Sequence, residues 1–474
     1  MNIKVRFMKN KQTFLCARNT FLILGTALLL IGSSCGNKEL KSDMKDEKIR
    51  IITLDPGHFH AALLQKSMYD EIDSVVHIYA PEGLELDNHM KLVDSYNSRE
   101  ENPTSWKHEI YRGTDYLEKM FSDKAGNVVI ISGNNKLKTN YISRAIDSGM
   151  NVLADKPLAI NEDGFRSLEN AFAKAKEKNV VLYDIMTERY NIYYVLQRAL
   201  SQDTSFFGSL EKGTPDNPAI MQESVHHFYK NVSGKPLVRP AWFFDVEQEG
   251  RGLVDITTHM VDLIQWECFP DVVIDYKKDI TMLSAKEWAT QLNLEQFQKS
   301  TNKDQFPEYL HKYLKNGILN VMSNGEMNYT IKGVHARVGI KWNYEAPEGS
   351  GDTHFAKMRG TKANILIRQG KEQNYKPVVY LELLNSEPTS AKQLMNAIGK
   401  LQALYPGLAV KKAANEWELI IPEKLKVPHE EHFAEVVKKY LTYLKGAELP
   451  GWEVPNMLAK YYTTIKAAEM ASKK

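Results

Sequence analysis

Cysteine is scarce in this sequence: three residues in 474, at positions 16, 35 and 268. That excludes a disulfide framework, so the fold has to stand on its apolar core. An excess of one charge is missing too. The 61 Lys and Arg face 59 Asp and Glu, a balance that leaves no electrostatic footprint for nucleic acid. The apolar run from Phe21 to Ile31 has 11 residues, short of the roughly 20 that a membrane-spanning helix needs. No internal repeat is present, which excludes a solenoid or propeller. Glycine is short where it would matter most. After the apolar stretch "IITL" the chain reads Asp55-Pro56-Gly57-His58-Phe59-His60, with one glycine where a phosphate-binding G-x-G-x-x-G turn would carry three.

What is present begins with a leader. Lys4, Arg6, Lys9, Lys11 and Arg18 precede the apolar run and Gly32-Ser33-Ser34-Cys35 follows it, the layout of a bacterial signal peptide. The small residues before Cys35 resemble a lipobox, in which cleavage precedes the cysteine and lipid is attached to it. Gly32 stands where Leu or Val is usual, and ordinary cleavage near Ser34 is the alternative. The expectation is a signal peptide over residues 1–34, a lipidated Cys35, and a polar tether over 35–48. The mature protein is then membrane-anchored on the periplasmic side of the cell envelope. Losing residues 1–34 removes five basic and no acidic side chains, leaving 56 against 59 over 440 residues.

From Lys48 onward, short apolar runs alternate with amphipathic stretches, which argues for βαβ units and a parallel sheet. "IRIITL", "SVVHIYA", "GNVVIISG", "NVLADKP" and "VVLYDIM" read as strands. "HAALLQKSM", "NYISRAIDSG" and "FRSLENAFAKAKEKN" read as the helices between them. A doubly wound domain over 49–187 follows, with its ligand at the carboxyl ends of the strands.

"DSGMNVLADKPLAI" puts Lys156-Pro157 at the end of such a strand. The order helix, Gly, strand, acid-Lys-Pro resembles the lysine signature of the glucose-fructose oxidoreductase and inositol dehydrogenase family (Gfo/Idh/MocA). "VVIISGNNKLKTN", "VVLYDIMTERYNIYYVLQRAL", "GRGLVDITTHMVDLIQWE" and "FAKMRGTKANILI" resemble further family segments in the same order. The resemblance implies an N-terminal Rossmann domain followed, over 188–474, by an α+β domain with an open, mostly antiparallel sheet. It also implies NAD or NADP, and a lysine near the nicotinamide and the reacting hydroxyl. In its terms "DPGHFH" is a diverged first turn. Gly57 takes the middle glycine's place, with His58, Phe59 and His60 beside the pyrophosphate and Glu82 by the ribose. Asn134 and Asn135 then lie near the nicotinamide ribose, with Lys156 and Pro157.

The chemistry can be argued from the residues as well. Oxidising a secondary alcohol requires a base for the hydroxyl proton, and a neutral imidazole suits that task. His259 is the candidate base. Asp255, four residues earlier, would orient its ring, and Lys156 would stabilise the alkoxide or, if burial lowers its pKa, relay a proton. "QESVHHFYKNVSGKPLVRPAWFFD" adds His226, His227 and Trp242 as a sugar-lining cluster. A metal on His226, His227 and His259 is the alternative; adjacent strand residues point to opposite faces, so no metal is expected there.

An exported protein meets no pool of free nicotinamide cofactor, so NAD or NADP is expected to stay tightly bound and be recycled within each turnover, or an external electron acceptor has to serve. Three readings therefore stand: an NAD(P)-linked oxidoreductase acting on a sugar, glycoside or polyol; a glycoside hydrolase, lyase or isomerising enzyme with bound NAD; and a carbohydrate-binding lipoprotein that has lost its cofactor. The expected partners are a sugar, a membrane through the lipid anchor, no nucleic acid, and a second copy through the C-terminal sheet.

Overall fold

The computed structural model describes residues 48–473 apart from 233 and 234. The expected signal peptide, Cys35 and nearly all of the tether lie outside the described residues. The N-terminal sheet has six strands: β1 (Ile51–Leu54), β2 (Val75–Ala80), β3 (Lys107–Arg112), β4 (Val128–Ile131), β5 (Asn151–Asp155) and β6 (Leu182–Ile185). Their order is β3-β2-β1-β4-β5-β6, and every pairing is parallel. This is the dinucleotide-binding order, and its switch point lies between β1 and β4. Every residue of β1 and β4 is buried, which is why both read as apolar runs, interrupted only by Thr53. The edge strand β3 is exposed or half-exposed throughout. Its sequence "KHEIYR" carries no apolar pattern and gave no strand signal.

Helices α1 (His60–Leu63), α2 (Leu84–Ser98), α3 (Tyr116–Asp123), α4 (Asn135–Asp147) and α5 (Glu162–Lys178) connect these strands. The helix expected from His60 to Met68 is one α-turn followed by a 3-10 turn, Leu64–Lys66. Arg99 Nη2 donates to the Lys66 carbonyl at 2.7 Å and closes that end. α6 (Ile192–Ser201) leads into the second domain, where α7 (Thr257–Cys268) packs beneath a ten-stranded sheet. Within that sheet β7 (Ile220–Tyr229) pairs parallel with Val334–Glu345 and antiparallel with Thr353–Arg359. All other pairings in the sheet are antiparallel. An α/β Rossmann unit thus precedes a mostly antiparallel mixed sheet. None of the described helices is long and apolar enough to cross a membrane.

The last two helices, His429–Leu444 and Glu453–Ser472, return to the first domain. They place Phe433, Val437, Tyr440, Met457 and Tyr461 in the Rossmann core. At the junction, five buried charges interlock. Arg189 makes a fork to Asp262, 2.7 Å on each arm, and a 3.0 Å bond to Glu453. Lys460, fully buried, contacts Asp184 at 2.6 Å and Asp262 at 2.8 Å. Removing one partner of a buried pair leaves an uncompensated charge, so Arg189→Met is expected to cost about 3–5 kcal/mol in chemical denaturation.

On α2, His89 is buried with neither ring nitrogen partnered. Burial, with a smaller contribution from His108, lowers its pKa from 6.5 to about 3. The unfolded chain therefore takes up this proton first as the pH falls. The stabilising difference is whole above pH 6.5 and is lost on acidification toward pH 3. At pH 5 the loss for this one side chain is about 2 kcal/mol. His89→Leu should flatten the pH dependence of the melting temperature between pH 7 and 5, relative to the parent protein.

Candidate active site

The first turn answers the question raised by its missing glycines. Asp55 takes a φ of 45°, a left-handed conformation that Asp tolerates better than most residues. Its carboxylate turns inward to accept from Tyr141 Oη at 2.8 Å. Burial raises its pKa and the Tyr141 bond lowers it, with a net rise. The closest approach belongs to Gly133, at the end of β4. A Cβ there would lie 2.3 Å from the Asp55 carbonyl oxygen, whereas one on Gly57 would meet Trp242 at 3.2 Å and Gly133 at 3.3 Å. The amides of Gly57 and His58 both donate to the Ser132 carbonyl at 3.1 Å.

His60, standing in the third glycine's place, turns its ring into the domain. His60 Nδ1 lies 3.0 Å and His58 Nδ1 3.1 Å from the same atom, Asp155 Oδ2. His60 also stacks on His429 from the first returning helix, with ring centroids 5.1 Å apart.

Lys156 follows Asp155 at the carboxyl end of β5 and pairs directly with Asp255 Oδ1. The ion pair crosses from one domain to the other. Burial lowers the lysine's pKa, but Asp255 and Asp155 outweigh it and the net shift is upward. The side chain is therefore an ammonium at neutral pH, which favours the charge-stabilising role over the proton relay. Asp255 lies in the turns just before α7, and no hydrogen bond joins it to His259. His259 Nδ1 is buried and unpartnered. Burial, then the charge of Lys156, drives its pKa far below the ordinary value, so the ring is neutral.

Other expected residues lie elsewhere or have other partners. Asn134 caps α4, accepting from the Lys136 amide at 3.0 Å, and donates to Gln248 Oε1 at 2.7 Å. Asn135 is buried and donates to the Glu249 carbonyl at 2.8 Å. Both therefore serve a clamp in which segment 241–249 lies over the switch point, with Trp242 against Gly57. Pro157 is buried behind Lys156, Phe59 is exposed, and Glu82 is exposed on the β2–α2 turn. His226 and His227 both reach one carboxylate, with Nδ1 atoms 3.3 and 2.9 Å from Asp352. Among the described residues they do not join His259 in a metal-ligand group.

Two neighbours of Lys156 were not read from the sequence. Lys138 is buried and donates to Asn135 Oδ1 at 2.6 Å and to the Asp155 carbonyl at 2.8 Å. Burial brings its pKa down to about 8. Its signal was available: Asn135, Lys138, Ile142 and Ala145 share the buried face of α4. Glu249 lies opposite, its pKa raised far above the usual range by burial and then by Asp255.

With this geometry in place, the comparisons with known proteins decide the family. Residues 196–472 match "Putative oxidoreductase C terminal domain", and residues 57–184 match "Oxidoreductase family, NAD-binding Rossmann fold". The chain belongs to the Gfo/Idh/MocA oxidoreductase family. A crystal structure described as a "putative oxidoreductase" from Parabacteroides merdae is 50% identical to this family member, with TM-score 0.88 over 90% of this chain and 98% of that one. Levoglucosan dehydrogenase in complex with NADH and levoglucosan has TM-score 0.56 at 13% identity, over 90% of this chain and 97% of that one. GenD2 from gentamicin A biosynthesis, in complex with NAD, has TM-score 0.54 at 15% identity, over 90% and 95%. No curated protein matches the chain.

This Gfo/Idh/MocA oxidoreductase is thus an NAD(P)-linked enzyme, and its switch point fits a dinucleotide. The strand order is right, the β1 and β4 turns meet at backbone distance, and an unpartnered imidazole stands near the lysine that ends β5. The two turn glycines should differ in their tolerance. Gly133→Ala forces backbone apart and should cost about 1–3 kcal/mol or more. Gly57→Ala asks Trp242 and the Gly133 backbone to yield by only a few tenths of an ångström and should cost clearly less when both are measured by denaturation.

Proposed function

We propose that this oxidoreductase acts on a secondary hydroxyl of a sugar, glycoside or polyol. The observation that carries the reading is the buried Lys156–Asp255 pair with the neutral, unpartnered His259 one helical turn beyond Asp255. Bound NAD(P) would supply the hydride acceptor. Since Gly57 and His58 already donate to Ser132, the amides of Phe59 and His60 would be the first turn's donors to the dinucleotide. Lys156, held by Asp255, presents positive charge to the hydroxyl oxygen and stabilises it as the proton departs. His259 Nδ1 is the acceptor for that proton. A strongly depressed imidazole is a poor base for a free alcohol. The Lys156 charge therefore has to acidify the hydroxyl first, which makes the two residues a single unit. His226, His227 and Trp242 are proposed to border the sugar.

The clamp over the switch point favours a second feature, a cofactor that stays bound. Release would require Trp242, Gln248 and Glu249 to part from Gly57, Asn134 and Asn135. A retained cofactor suits export and anchoring through Cys35, and it suits a cycle in which a ring hydroxyl is oxidised, a neighbouring bond is cleaved or isomerised, and the carbonyl is reduced again. The Lys156–Asp255 pair speaks against a cofactor-less binding module, which would have no use for a buried ammonium at this point.

Turnover of sugar substrates is the test. His259→Ala and Lys156→Ala should each lower kcat by about 10²–10⁴-fold, and the double variant should be scarcely worse than the poorer single one. Lys156→Arg keeps the charge but not the compact ammonium and should rescue little. Near-normal kcat in both alanine variants would move the site to the His226-His227 strand. NAD(P) released by denaturing the purified protein checks retention.

A further inference from the structure

Beyond the hydride chemistry, we propose that His58, His60 and Asp155 form a binding site for one divalent transition-metal ion of the zinc class. Among the described residues they are the one group offering three ligand atoms, His58 Nδ1, His60 Nδ1 and Asp155 Oδ2, all within 4.8 Å of one another. The two nitrogens lie 3.1 and 3.0 Å from the carboxylate oxygen. Ligands bound to one cation at about 2.0–2.2 Å stand roughly 3.0–3.5 Å apart, so the spacing needs little adjustment.

Hydrogen bonding alone does not account for this convergence. Asp155 Oδ2 also accepts from Ser132 Oγ at 3.0 Å, so three polar atoms crowd one oxygen that has two lone pairs. The excess falls on His58, whose buried Nδ1 has no hydrogen-bond partner among the described residues. A cation would use both imidazole lone pairs and leave the Ser132 bond as outer-shell support. The other carboxylate oxygen is fixed by the Lys156 amide at 2.9 Å, which points Oδ2 at the histidines. The His58 side chain keeps one-third exposure, a path for the ion to enter.

The donor set selects the ion. Two imidazoles and one carboxylate suit Zn²⁺, Co²⁺ or Fe²⁺ and not Ca²⁺ or Mg²⁺. The flanking ammonium groups select in the same direction, because they oppose a loosely held cation. Lys156 is turned toward Asp255, and Lys138 donates to the Asp155 carbonyl. Remaining coordination positions fall to water or to an oxygen of the molecule bound beside Lys156.

Cobalt is the probe, because its ligand-field absorption reports coordination without any turnover. Tag-free full-length protein, stripped with EDTA and titrated with Co²⁺, should take up one ion per chain with bands of nitrogen–oxygen coordination. His58→Ala changes a partly exposed side chain and should keep the circular dichroism of the parent while weakening Co²⁺ by about 100-fold or more. Asp155→Asn should do the same if it folds. His227→Ala should leave binding unchanged. Absence of stoichiometric uptake, uptake indifferent to His58→Ala, or uptake abolished by His227→Ala would each overturn the assignment.

Discussion

The buried charge network at the domain junction sets the geometry on which the active site depends. Arg189 leaves the end of β6, Asp262 sits on α7, and Glu453 and Lys460 sit on the C-terminal helix. Their fork and cross-bonds therefore fix three elements relative to one another. Such a network gains little net stability over apolar packing, because its ions give up hydration to form it. What it supplies is register. A planar guanidinium bonded on both arms to Asp262 admits one rotation of α7, and that rotation carries Asp255 to Lys156 and leaves His259 facing the end of β5. A sliding apolar contact would tolerate shifts of an ångström, enough to break the Lys156–Asp255 pair.

The clamp over the switch point is the second constraint, and it explains why the first turn departs from the glycine-rich pattern. A turn open to solvent would leave its amides to the pyrophosphate alone. Here Gly57 and His58 spend their amides on Ser132, and Trp242 occupies the space beside Gly57. The backbone approach usually credited to the middle glycine of the motif has moved to Gly133, where β1 and β4 meet.

How much of this was legible in the sequence depends on the range of each interaction. The buried strands β1, β4 and β5 send mostly apolar side chains to both faces and announced themselves, and the Asp155-Lys156-Pro157 run marked the end of β5. Asp255 and His259 were visible as a pair at helical spacing. Their partners were not. Lys156 meets Asp255 across 99 residues and His60 meets Asp155 across 95. No local pattern states that the carboxylate four residues before His259 is already taken by a lysine from the other domain. Adjacent His226 and His227 were expected to diverge, yet both reach Asp352, which precedes the neighbouring strand Thr353–Arg359 and lies 125 residues beyond His227. β3 escaped because an exposed edge strand needs no apolar face, and Lys138 escaped because a charged residue at an apolar helix position was passed over.

Asp155 is where these threads join. Its two oxygens do different work. One takes the amide of Lys156 and so fixes the backbone from which the ammonium reaches Asp255; the other faces His58, His60 and Ser132. Whatever draws the histidines tighter therefore pulls on the same carboxylate that seats the lysine. The diverged turn and the charged end of β5 form one connected structure, and His58 and His60, the latter in the third glycine's place, give the first turn a direct mechanical hold on the carboxylate that seats Lys156. A glycine-rich turn, having no side chains to reach β5, would lack that hold.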